Sequence, residues 1–209
     1  MKKIIMRLAL SLLVLIGLVS TLPAEELYVG KIHFLDVDTT LDDYFNIKYE
    51  TEYNQMYIQK GNWSGTSWII LNNDQIETLR STVSKALDWC KIAYDNNSEI
   101  KKELPNSNLE SSVVWEFGDE THRNSDYNKL QLQFFFVSAK TEYDEIFPSV
   151  LIFSSKVKSS KNQYVTYNFP RAVLLEEDLK TFKEVISQDS INSVVEKHKE
   201  SRKAEDLFN

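Results

Sequence analysis

The clearest hydrophobic pattern in the chain runs from Trp68 to Tyr94. Trp68-Ile69-Ile70-Leu71 is a short apolar run of strand type, and Asn72-Asn73-Asp74 follows with a capping side chain and a negative charge for a first helical turn. Ile76, Leu79, Val83, Leu87, Cys90 and Tyr94 then recur at spacings of three and four. That spacing predicts a helix from Asp74 to Tyr94 with one apolar face, which needs a flat apolar surface to lie against.

Alternating segments on both sides supply such a surface. Leu27 to Val37, with Tyr28, Ile32, Phe34 and Val37, reads as a strand, and Phe45, Ile47, Tyr49, Thr51 and Tyr53 alternate with Asn46, Lys48, Glu50 and Glu52 as a strand wet on one side. Met56 to Lys60 continues after a turn near Asn54, and Gly61 to Gly65 is punctuation. Beyond the helix, Glu99 to Glu103 looks helical, and Asp95 to Asn108 is the one linker-like stretch. Val113 to Phe117 and Leu130 to Val137 are expected strands, joined by a long polar loop from Gly118 to Lys129. Val150 to Val157 and Gln163 to Phe169 form a further expected pair. Ala172 to Leu175 leads into a helix from Glu176 to Gln188 carrying Leu179, Phe182 and Ile186, and a last helical segment covers Ile191 to Lys203.

A shift of 103 residues lays Leu71 on Leu174, Ile76 on Leu179, Leu79 on Phe182 and Val83 on Ile186. With several strands before each helix, the expected fold class is α+β: antiparallel sheets with helices, arranged as two ββββα-like repeats over 27–97 and 110–200 in one mature domain.

Charge changes the picture at the N-terminus. Lys2, Lys3 and Arg7 precede an uncharged apolar run from Leu8 to Leu22, and Pro23-Ala24 follows, the order of a signal peptide over residues 1–24. An uncleaved segment is the competing reading, since the run is close to the lower limit of about 17 residues for a span; membrane attachment enters only by that route. Residues 25–209 are then an exported mature domain, periplasmic or secreted. It carries 21 basic against 31 acidic residues, a net charge of −10. That balance disfavours nucleic-acid phosphate and anionic membranes, which call for a basic face. Cys90 is the single cysteine and lies on the helical stripe, so an intramolecular disulfide is excluded and the thiol reads as a small buried hydrophobe.

Tyr44, Lys48, Tyr57, Lys60, Trp63, Lys129 and Phe135 place basic and aromatic residues on strands of this tandem ββββα order. In that architecture the chain resembles the Whirly and Pur-alpha group of single-strand nucleic-acid-binding proteins, and the resemblance implies a sheet face on which bases stack. The Lys-Gly-Lys-Ala-Ala-Leu run of Whirly proteins has no counterpart here.

Candidate chemistry is sparse. His33, His122 and His198 fall in no metal-ligand spacing, and neither a phosphate loop nor a G-x-S-x-G elbow occurs. Asp36, Asp38, Asp42 and Asp43 crowd one turn but lack the glycine and terminal glutamate of an EF-type calcium loop. His122, in Asp119-Glu120-Thr121-His122-Arg123, could be oriented by a carboxylate for base chemistry, or could sit in a solvated loop. No catalytic residue, cofactor or metal is therefore expected. The ligand-facing candidates are Tyr57, Trp63, Lys48, Lys60 and His122. The function these readings favour is a non-catalytic exported module binding a protein or cell-envelope component; the alternatives are a single-strand nucleic-acid binder and an enzyme whose site is scattered through the sequence. For the leader, mass spectrometry of protein purified from its own cells should find a new N-terminus within a few residues of Glu25, whereas an intact Met1 on soluble protein would refute cleavage.

Overall fold

The computed structural model describes residues 25–62 and 65–206. The chain forms β1 (Glu26–Asp36), β2 (Leu41–Glu50), β3 (Gln55–Asn62), β4 (Gly65–Leu71), α1 (Asn73–Asp95), β5 (Ile100–Glu103), β6 (Leu109–Phe117) and β7 (Glu120–Arg123). There follow β8 (Leu130–Lys140), β9 (Ile146–Ser154), β10 (Val157–Lys158), β11 (Thr166–Tyr167), β12 (Ala172–Leu175), α2 (Glu176–Val185) and α3 (Gln188–Asp206). The turns use residues that tolerate a left-handed backbone, with Asn54, Asn97, Asn106 and Asp144 all at positive φ. Buried Glu50 fastens the β2–β3 turn by accepting the amides of Glu52 and Tyr53.

Eight antiparallel strands follow one another in chain order around a closed barrel, β1-β2-β3-β4-β6-β8-β9-β12. It closes where β12 meets β1, with Leu35 opposite Val173 and Asp36 opposite Ala172. A second short seam joins β6 to β8 through Leu109–Leu132, Glu110–Gln131 and Ser111–Leu130. β5 extends the wall beside β8, and β7 beside β6. This closure corrects the expected α+β class of two ββββα-like repeats. β4 is bonded to β6 and β12 to β1, so the four strands before each helix share both their borders with the other four. The matching spacing of the two helices reflects only that each follows an apolar strand.

The alternating residues of every wall strand turn inward. Ile47, Ile58, Ile69 and Val113 stand side by side across four strands and are buried, as are Phe134 and Ile152 on the far wall. They share one core with Ile76, Leu79, Val83, Ala86 and Cys90 of α1. α1 touches β3, β4 and β6 on one side and β8 and β9 on the other while its opposite face stays exposed, so it lies across one end of the barrel. Its start is fixed by a capping box: Asn72 Oδ1 accepts the Gln75 amide at 3.0 Å, and Gln75 Oε1 accepts the Asn72 amide at 2.7 Å. Cys90 is 1% exposed, and burial pushes its thiol up to about 12.

The structure changes three local expectations. Ile100 to Glu103 is a strand, held by pairing with β8. The stretch from Gly118 to Lys129 is not one loop but contains β7, paired to β6, and this buries His122. The pair expected at Val150–Val157 and Gln163–Phe169 splits: β9 joins the barrel wall, and only Val157–Lys158 pairs with Thr166–Tyr167 as a separate hairpin.

α2 takes over where β12 ends, packing on β1, β12 and α1. Its closest approach is at Gly30, next to the irregular register between Tyr28 and Gly30, where an added Cβ would lie 2.7 Å from Val185 Cγ2. A valine on a helix has one strongly preferred rotamer and cannot swing aside. Gly30→Ala should therefore destabilise the fold by about 1–3 kcal/mol in urea titrations, and Val185→Ala placed on top should recover part of that loss. A neutral Gly30→Ala would show that α2 is not seated there.

A candidate functional site at the open end of the barrel

The helices occupy the end where β4 and β12 finish. The other end carries the β1–β2 turn, the end of β3 with the start of β4, and the β10–β11 hairpin. Between them lies an open cleft of about 800 Å³. Its polar lining comes from Asp36, Asp38, Asp42, Asp43, Lys60, Ser67 and Tyr167, with Leu41, Tyr44 and Pro170 as apolar walls.

Each charge is positioned by local structure. Asp36 ends β1 and turns its Oδ1 to the amides of Asp38 at 2.8 Å and Thr39 at 3.4 Å, which shapes the turn. Asp38 is gripped by Arg171, whose Nε lies 3.0 Å from Oδ1, and this guanidinium holds the Asp38 carboxyl below the usual carboxylate range. Lys60 points inward from β3 and is buried; its ammonium meets Asp43 Oδ2 at 2.7 Å and also donates to the Gly61 carbonyl. Four aspartates thus border the cleft; Asp38 is paired with Arg171, Asp43 shares the inner face with Lys60, and Asp42, opposite Leu35 where Asp43 is opposite Phe34, stands on the outer side of the rim.

The cleft's far wall is the hairpin. Tyr167 places its hydroxyl 3.0 Å from Ser67 Oγ, and burial pushes the phenol up to about 12 against the lowering effect of that bond. Its ring stacks on Trp115 with centroids 5.6 Å apart, and Trp115 stacks in turn on His122 at 5.8 Å. Trp115 is 3% exposed, and its indole N–H has no hydrogen-bond partner. His122, 2% exposed, binds Ser159 Oγ through Nδ1 at 3.1 Å, and Glu120 Oε2 lies 3.8 Å from its Nε2.

Serine, histidine and glutamate are the residue types of a hydrolytic triad, yet these three are built as a fastening. Ser159 Oγ already accepts the amides of Lys161 at 3.1 Å and Asn162 at 3.3 Å, so its own proton goes to Nδ1 and the ring proton sits on Nε2, toward Glu120. The oxygen is buried, and the bonds around it tie the hairpin to β7, with Ser160 N donating to the Arg123 carbonyl at 2.8 Å. Polar groups engaged this completely rigidify a junction.

The expected ligand-facing residues do not converge. Lys48 and Tyr57 are cross-strand neighbours on the outer wall, where Lys48 pairs with Glu26 at 2.9 Å and the Tyr57 hydroxyl bonds Gln55 at 3.2 Å. Lys60 stands three residues from Tyr57 and so on the opposite face, inside the cleft. His122 lies beneath the hairpin, and Trp63 falls outside the described residues, as does the 1–24 segment. Sequence reasoning noted the aspartates of the turn but not Ser67, Tyr167 or Ser159. Ser67 and Tyr167 are 100 positions apart and carry no motif.

No protein-family model, curated protein or solved structure matches the chain. The raised Tyr167 phenol has a measurable consequence. Above its unfolded value near 10 the denatured chain ionises while the native phenol keeps its proton, so this residue's stabilisation is complete below about pH 10 and is lost as pH rises toward about 12. In an alkaline absorbance titration Tyr167→Phe should remove a tyrosinate step near pH 12 and flatten the fall in urea midpoint over that window. Loss of a step at about pH 10 instead would place the phenol in water.

Proposed function

We propose that the protein is an exported, non-catalytic binding domain that takes a basic segment of a protein partner into the cleft at the open end of the barrel. The observation that carries this reading is the charge of the cleft rim, four aspartates against Lys60, held by Asp43, and Arg171, held by Asp38. Partner lysine or arginine side chains would meet the carboxylates, and Leu41, Tyr44 and Pro170 offer apolar contact to the stems and neighbouring residues. Export is supported by the charge and apolar order of residues 1–24.

The non-catalytic part of the reading is supported by how the reactive groups are used. The Lys60 ammonium and the Ser159 and His122 pair are engaged with protein partners, so none stands ready beside an accessible proton. An anionic single strand would meet the aspartates at the cleft and paired Lys48 on the outer wall.

Fluorescence anisotropy with labelled lysine- and arginine-rich peptides tests the proposal against acidic peptides of the same length. Basic peptides should bind in preference, with affinity that weakens as salt rises. Asp42→Lys, an exposed change that breaks neither the Lys60–Asp43 nor the Asp38–Arg171 pair, should weaken binding roughly tenfold. Equal affinity for acidic and basic peptides, or indifference to Asp42→Lys, would overturn the reading.

A further inference from the structure

A second site lies on the outer wall, along the seam where β6 meets β8. Two adjoining depressions of about 460 and 350 Å³ flank the segment that carries the chain from β5 to β6, and both are bordered by Asn108. The residues bordering each include one with a buried polar atom that has no hydrogen-bond partner among the described residues. In the larger one, Gln131 donates its Nε2 to Glu110 Oε1 at 2.6 Å, and its Oε1 is buried without a hydrogen bond. The assignment of that amide is forced, because only an NH₂ group can face the carboxylate. In the smaller one, Ser107 is 1% exposed and its Oγ has no partner. A buried polar atom left unpaired is costly, and native structures hold few of them.

The surroundings define what would satisfy these atoms. Asn108 and Gln133 bring amides that both donate and accept, and an aromatic ring borders each depression. Phe153 is held by stacking on Phe135 with centroids 5.1 Å apart, and Trp89 by an edge contact with Phe136 at 5.6 Å. Fixed rings beside amides suit a ligand that has apolar C–H faces and hydroxyls able both to give and to take hydrogen bonds. Glu110 and Glu103, set against Lys102 alone, disfavour an anion, and Gln131 Oε1 asks for a donor. We propose that this groove is a carbohydrate site that takes a neutral oligosaccharide, one sugar in each depression and the chain passing Asn108. It is separate from the acidic cleft and does not rest on the peptide reading.

Titration calorimetry of the full chain with N-acetylchitotetraose, maltotetraose and the corresponding monosaccharides tests it. One of the tetrasaccharides should bind, and more tightly than its monomer. Gln131→Met, which keeps the length but removes the acceptor, and Asn108→Ala, at an exposed position, should each weaken binding roughly tenfold while thermal melts confirm the fold. Asp42→Lys in the acidic cleft should leave sugar binding unchanged. Absence of binding at millimolar sugar, equal affinity for monomer and tetramer, or affinity indifferent to both groove variants would overturn the inference.

Discussion

The rest of the structure depends on the closure of one antiparallel ladder. Once β12 pairs with β1 and β6 with β8, the wall has no long free edge, and the alternating apolar side chains of eight strands are committed to one interior. A closed wall still has two ends. The helical end is sealed by apolar contact: α1 sets its stripe across both sides of the wall, and α2 fills the angle where β12 stops short, close enough at Gly30 that only a residue without a side chain fits. Arg80 ties this end together, with its Nε 2.6 Å from the Ile186 carbonyl just beyond α2.

The other end is finished by polar bonds, and an open cleft is left there. Buried Asn124 accepts the Val113 amide at 2.8 Å and donates to the carbonyls of Ser125 and Asn128, while His122, Ser159 and Ser67 hold the hairpin to the rim. Buried groups satisfied in this way fix geometry at little net stability, because each bond replaces one to water. The result is a rigid rim around an open cleft bordered by more carboxylates than cations. The seam groove is of the opposite kind, nearly neutral and bordered by amides and rings.

The sequence by itself determined the local elements. Apolar runs and period-two alternation marked β1, β2, β3, β6 and β8, and the three-and-four spacing marked α1 and the start of α2, because side-chain patterning records which face of an element meets the core. It also identified Cys90 as a buried thiol and a turn after Asp36, which depend on residues near in sequence, whereas Asp42 and Asp43, expected in that turn, belong to β2. Even here β5 and β7 escaped notice, because four-residue edge strands owe their form to the partner they pair with.

Tertiary structure alone decided how these pieces join and what they build. A strand's pattern tells its inward face but not its neighbour, and the closing pairs Leu35–Val173 and Asp36–Ala172 bring together residues from opposite ends of the chain. The same holds for the sites. Ser67 with Tyr167, His122 with Ser159, and Gln131 with Glu110 become partners only when the ladder closes, since hydrogen bonding at about 3 Å depends on position in space and leaves no periodic trace in sequence.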